Sequence, residues 1–105
     1  MKMYYLQIRW STILPPMYKY DTGEYNFGKG ELAKLCSICV HNCKAELYLA
    51  GKRILKAEAK APISSIDTEA KRVDVPLRNV RLVVENKFPI PVDAAVHVVI
   101  WYTTV

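Results

Sequence analysis

A strict inside–outside alternation of side chains runs through most of this chain and constrains its fold more than any motif does. In residues 4–10, Tyr4, Leu6, Ile8 and Trp10 fall on one face and Gln7 and Arg9 on the other, the pattern of a half-buried strand. Near the other end, Ala94, Val96, Val98, Ile100 and Tyr102 share one face, with Ala95, His97, Val99 and Trp101 opposite. A strand apolar on both faces belongs in the middle of a sheet or under a cover. The signal repeats in 32–41 (Leu32, Cys36, Ile38 and Val40 on one face), 45–49 and 73–77, and 80–85 is apolar and β-branched. Residues 53–61 combine strong helix formers with unbroken alternation of Leu55, Ala57, Ala59 and Ala61 against Lys56, Glu58 and Lys60; the alternation and the neighbouring strands decide for a strand. Ala50-Gly51 reads as a turn, Pro15-Pro16 and Pro62 as breaks, 63–68 as a polar loop, and Pro76 as an edge position. Seven or eight short strands predict an all-β, small antiparallel sandwich of the immunoglobulin or fibronectin III kind.

The size agrees with this. A chain of 105 residues, 51% hydrophobic and 24% charged, can build one core without disulfides or metals. That composition excludes a disordered chain and a collagen-like one. One domain is expected over 1–105, with 1–30 as an aromatic hairpin extension. Within it, Tyr18, Tyr20, Tyr25 and Phe27 flank Asp21-Thr22-Gly23, whose glycine can take positive φ at a hairpin turn. Such a segment is too aromatic for a fully solvated arm, so it either covers the core or docks on another subunit.

A second reading comes from a resemblance. Glu46 to Ile54 forms a strand, glycine turn and strand; Val73 to Leu77 follows; then comes Val83-Val84-Glu85-Asn86-Lys87-Phe88-Pro89-Ile90-Pro91-Val92. This order resembles the group 2 late embryogenesis abundant proteins, the water-stress-and-hypersensitive-response (WHy) domain. Residues 40–48 look like a shortened version of the same unit, with Cys43 and Lys87 where the family carries proline after Asn. The likeness spans roughly 32–102. It implies a fibronectin-III-like sandwich with a stress-related protective or interaction role and no enzyme activity. Apart from the family, an Asn side chain can cap a turn's backbone amides, and Pro-x-Pro fixes an extended crossover.

Candidates for chemistry are few. Cys36, Cys39, His41 and Cys43 lie within eight residues, and four soft ligands suffice for zinc. On a strand, however, Cys39, His41 and Cys43 point to one face and Cys36 to the other. Buried small hydrophobes are the plainer reading, with a metal site or a redox thiol as the alternative. An odd, clustered set of three cysteines is no disulfide framework and fits a reducing compartment. His97 sits in an apolar strand with no acid or nucleophile near it in sequence. Ser64, Ser65 and Asp67 read as turn chemistry, and Gly28 and Gly30 do not make a phosphate loop.

The net charge is +5, and the excess lies in 52–81 on Lys52, Arg53, Lys56, Lys60, Lys71, Arg72, Arg78 and Arg81. These could meet phosphates if their strands were neighbours, or they could form a solvated face. The aromatics cluster elsewhere, which argues against a stacking platform for single strands. No secretory signal and no membrane-length apolar run is visible, so a cytoplasmic location away from membranes is expected. Four Asn and one Gln suggest a thermophile. The sequence therefore predicts a non-enzymatic, cofactor-free module that binds protein partners or itself. Nucleic-acid binding through the basic segment and a metal or redox site at the cysteines are the alternatives.

Overall fold

The computed structural model describes residues 2–26 and 30–104. Eight strands form in chain order: β1 (Tyr4–Leu14), β2 (Lys19–Asp21), β3 (Glu31–His41), β4 (Lys44–Leu49), β5 (Lys52–Glu58), β6 (Ile66–Pro76), β7 (Arg81–Glu85) and β8 (Val92–Thr104). They make two four-stranded sheets, ordered β1-β8-β3-β6 and β2-β7-β4-β5. Every pairing is antiparallel. The first sheet is long, with strands of 11 to 13 residues; the second is short, with strands of 3 to 7. The protein is a small all-β sandwich, as the alternation requires.

The connectivity is that of a jelly roll. The pairs β1–β8, β2–β7, β3–β6 and β4–β5 are nested, so the chain is one long hairpin rolled across two sheets. Its tip is the turn between β4 and β5, where Ala50 and Gly51 have φ of 51° and 78°. Two positive φ values in a row match the right-handed twist of the flanking strands. Immunoglobulin-type domains instead pair their first two strands in one sheet; here β1 and β2 lie in different sheets.

The rolled hairpin crosses between sheets at three places, and the four Asn residues stand at these crossings. Asn42, at φ 59°, ends β3; its side chain donates to Asp93 O and accepts from Ser65 N. Asn26 Oδ1 accepts the amide of Asn79 (φ 51°) between β6 and β7. Asn86 is fully buried after β7. Its Nδ2 lies 2.9 Å from Pro15 O, 2.8 Å from Ile90 O and 3.3 Å from Leu14 O, while its Oδ1 accepts Phe88 N. Short amide side chains supply the local bonds that a chain leaving a sheet can no longer make to neighbouring strands. The cap on the Pro-rich connection follows the expectation for Asn86.

The core lies between the sheets. Val96, Val98 and Ile100 of β8 and Ile38 and Val40 of β3 face Leu47 of β4, Leu55 of β5 and Leu82 and Val84 of β7. β8 is central, between β1 and β3, as its two apolar faces predict.

Four local expectations need correction. The proposed 18–27 hairpin does not form among the described residues. Instead Lys19, Tyr20 and Asp21 pair with Glu85, Val84 and Val83, and Tyr25 bridges to Val80. The segment is thus one edge strand along β7 with a bulge. Gly23, at φ 74°, sits in that bulge and donates its amide to Asp21 Oδ1. The glycine has the backbone freedom foreseen for it, but the chain does not reverse. Second, β6 starts at Ile66, inside the supposed polar loop. Third, β3 changes parity at a bulge between Ala33 and Leu35, so Ala33 is buried and Leu32 is only half-buried. Fourth, β5 ends at Glu58, before Ala59 and Ala61.

Candidate functional site

Each sheet has two edges, and consecutive strands place them side by side. β1 and β2 border one seam of the sandwich; β5 and β6 border the other. The β5–β6 seam is closed by side chains. Asp67 and Glu69 of β6 accept the edge amides of Glu58 (2.8 Å) and Lys56 (3.4 Å) of β5. Ser65 Oγ accepts the amide of Ala61. These acceptors occupy donors that a foreign strand would otherwise use.

The β1–β2 seam is built from rings. Trp10 stacks on Tyr20 at 5.5 Å and 15°. Next to that pair lies an apolar cleft of 240 Å³, lined by Ile8, Thr22, Tyr25, Val80 and Leu82. Thr22 ties down its floor, since its Oγ1 accepts the amide of Leu82 and its own amide donates to Leu82 O. Tyr18, Tyr20 and Tyr25 remain 37–57% exposed. Of the four aromatics singled out as an interface, these three lie along this seam; Phe27 lies outside the described residues. At the foot of β2, Arg81 Nε donates to both carboxylate oxygens of Asp21 at 3.0 Å. That bond, with the Gly23 amide, holds the Asp21 carboxyl at about 2. The Arg81 guanidinium also lies 5.1 Å from the centre of the Tyr48 ring.

β1 is the outermost strand of the long sheet, and among the described residues no strand pairs with its outer edge. Its eleven residues, Tyr-Tyr-Leu-Gln-Ile-Arg-Trp-Ser-Thr-Ile-Leu, contain a single charge, Arg9. β6, the opposite edge of the same sheet, is equally long but carries Asp67, Glu69, Lys71, Arg72 and Asp74 and ends on Pro76. Pro76 marks β6 as an edge in the sequence, and β6 is one; nothing in the alternation of β1 marks it as the other. The contrast in charge was nonetheless present in the sequence.

The basic residues do not form one patch. Arg53, Lys56, Lys60 and Lys71 line a 450 Å³ groove between β5 and β6, but Glu58, Asp67 and Glu69 are interleaved with them. Arg53 is paired with Glu46, and Arg81 with Asp21. Lys52, Arg72 and Arg78 lie outside the groove.

The cysteine cluster is split by the fold. Cys36 and Cys43 are buried, and burial pushes both thiols up to about 11. Cys43 was expected to share the outward face with Cys39 and His41. The positive φ of Asn42 resets the alternation and turns Cys43 inward, toward Ala95 O. The four-ligand set therefore does not assemble. Cys39 and His41 stay on the outer face of the long sheet, with Cys39 Sγ 3.9 Å from His41 Nε2. His97 lies directly across from Cys39 but turns its Nε2 to Gln7 Oε1 at 2.8 Å. Among the described residues no three His, Cys, Asp or Glu side chains converge on a point where an ion could sit.

Comparison of the chain with protein-family models and with curated proteins found no match.

Proposed function

We propose that this protein is a non-enzymatic contact module that joins a protein partner by strand addition at the outer edge of β1. The observation that carries the reading is the asymmetry of the long sheet. One edge bears five charges, a proline and side chains clamped to its neighbour; the other is eleven residues long with one charge. Long, uncharged edges are where sheets extend into other chains, through main-chain hydrogen bonds and alternate side-chain pockets. Tyr18, Tyr20 and Tyr25 flank that edge and offer apolar bodies with polar rims, the chemistry enriched in protein interfaces. The resemblance to the WHy domain would give this reading a stress-related setting, but the nested jelly-roll order of the strands is not the fibronectin-III-like order that the resemblance implies.

The test is hydrogen exchange of the β1 backbone amides in the full chain, at rising protein concentration and with an eleven-residue peptide of the β1 sequence. Added protection along β1, lost in Ile8→Lys, is the expected result. Ile8 is only partly buried, at the margin of the core, and a lysine there sets a charge on the edge that an added strand would have to cover. Amides that exchange equally fast under every condition would overturn the proposal.

A further inference from the structure

We infer that the strand added to β1 is β1 of a second copy, antiparallel about a two-fold axis that passes through Ile8, joining the two long sheets into one. The inference rests on the strand-addition reading above and names its partner.

Two-fold pairing of antiparallel strands sets one residue against itself and every other residue against its mirror position. The midpoint of Tyr4–Leu14 is Arg9. An axis there would place the two guanidinium groups directly opposite each other, and like charges across a pair are destabilising. An axis at Trp10 would need Leu14, which is buried in the core at 2% exposure and precedes the Pro15-Pro16 break. It would also set two indoles together when each is already stacked on its own Tyr20. An axis at Gln7 leaves Ser11 and Thr12 with no partner inside β1.

With the axis at Ile8, residues 4–12 all find partners within β1. On the outer face Arg9 meets Gln7 of the second copy, an amide that can accept from the guanidinium, and Tyr5 meets Ser11. Arg9 Nη2 already reaches toward Gln7 Oε1 within one chain, at 3.4 Å, so the two groups suit one another. On the inner face Leu6 meets Trp10, Ile8 meets Ile8 and Tyr4 meets Thr12. Leu6, Ile8 and Trp10 are only partly buried within one copy, and Ile8 opens onto the apolar cleft of the β1–β2 seam. The second copy's inner row covers this surface. No pairing in this register sets like charges face to face or puts a charge against an apolar side chain.

Disulfide trapping in the full chain tests the register. Cys39 is replaced by Ser, since Cys36 and Cys43 are buried in the core and do not compete. Opposed residues lie about 4.5–5.5 Å apart, within reach of a disulfide, whereas positions two residues off register lie about 7–8 Å apart, beyond it. Ile8→Cys should give a covalent dimer under mild oxidation with diamide, and Arg9→Cys should not. Light scattering of the wild type should give twice the 12.0 kDa chain mass, and Ile8→Lys should return it to the monomer. A dimer trapped by Arg9→Cys and not by Ile8→Cys overturns the inference. So does a monomer at millimolar concentration whose β1 amides are protected by the β1 peptide, although strand addition itself then stands. A monomer with unprotected β1 amides removes both.

Discussion

The two seams of the sandwich solve the same problem with opposite chemistry. At β5–β6, carboxylates from one sheet cap backbone amides of the other, and the flanking side chains are of both signs. At β1–β2, two stacked rings and an apolar cleft hold the sheets together, and a long, nearly uncharged edge stands beside them. At the first seam the Lys56 and Glu58 edge amides of β5 are occupied; at the second, no strand among the described residues pairs with β1's outer edge. A sandwich needs cohesion at both seams, but it needs protection from other chains at both only if it is to stay alone. Both seams supply cohesion; only at β5–β6 do side chains also cap edge amides, and the proposed contact role of β1 rests on that difference.

The comparison can be broken most severely at Asn86, which anchors the turn from β1 into the β1–β2 seam. Asn86→Ala leaves the carbonyls of Leu14, Pro15 and Ile90 and the amide of Phe88 without their partner. A loss of about 3–4 kcal/mol is expected in denaturant unfolding. Equal stability would show that the connection holds itself. Next comes the ring stack. Trp10→Ala should cost about 2–3 kcal/mol, less than a fully buried indole because Trp10 is partly exposed. A double-mutant cycle with Tyr20→Ala should give a coupling of about 0.5–1.5 kcal/mol, and a coupling of zero would remove the stack from the account of the seam.

On the other side, Asp67→Ala should cost about 1–2 kcal/mol by uncovering the Glu58 amide. The more telling readout is association. Asp67→Ala with Glu69→Ala converts the closed seam into an open edge and should raise concentration-dependent aggregation, whereas the same exchange at Asp74 should not. The smallest effect is electrostatic. The Asp21 carboxyl is lowered from 3.8 to about 2 in the fold, so its contribution is complete above the unfolded value and fades as pH falls from about 4 to about 2. Both partners are solvent-exposed, so the change is slight. It should appear as a local shift in Trp10 and Tyr20 fluorescence that Asp21→Asn abolishes; an identical acid response in the variant would detach the ion pair from β2.

The strands were legible wherever one face is buried and the other wet, as in β1 and β4, or both are apolar, as in β8. β6 was hidden for half its length because an edge strand with few core contacts has no apolar period; Asp67-Thr68-Glu69-Ala70-Lys71-Arg72 looks like a loop. The bulge in β3 inverted the parity at Leu32, since one extra residue exchanges inside for outside. The same one-residue irregularity at Gly23 imitated a hairpin turn. Of the candidate site, the aromatic residues were found by composition and the free edge was not, because which strand ends a sheet depends on pairings far apart in sequence. The cysteines show the converse. Their proximity along the chain suggested a site, and one positive φ at Asn42 sent Cys43 to the core and left Cys39 outside.

From sequence alone, the alternation settled that this protein is two layers of antiparallel strands around an apolar centre, because side-chain burial follows a local period of two. Only the tertiary structure decided the nested order of the strands, the pairing of Asp67 and Glu69 with β5, and the exposure of β1. Those depend on contacts between residues that the chain brings together from opposite ends, and no local periodicity records which strand will lie beside which.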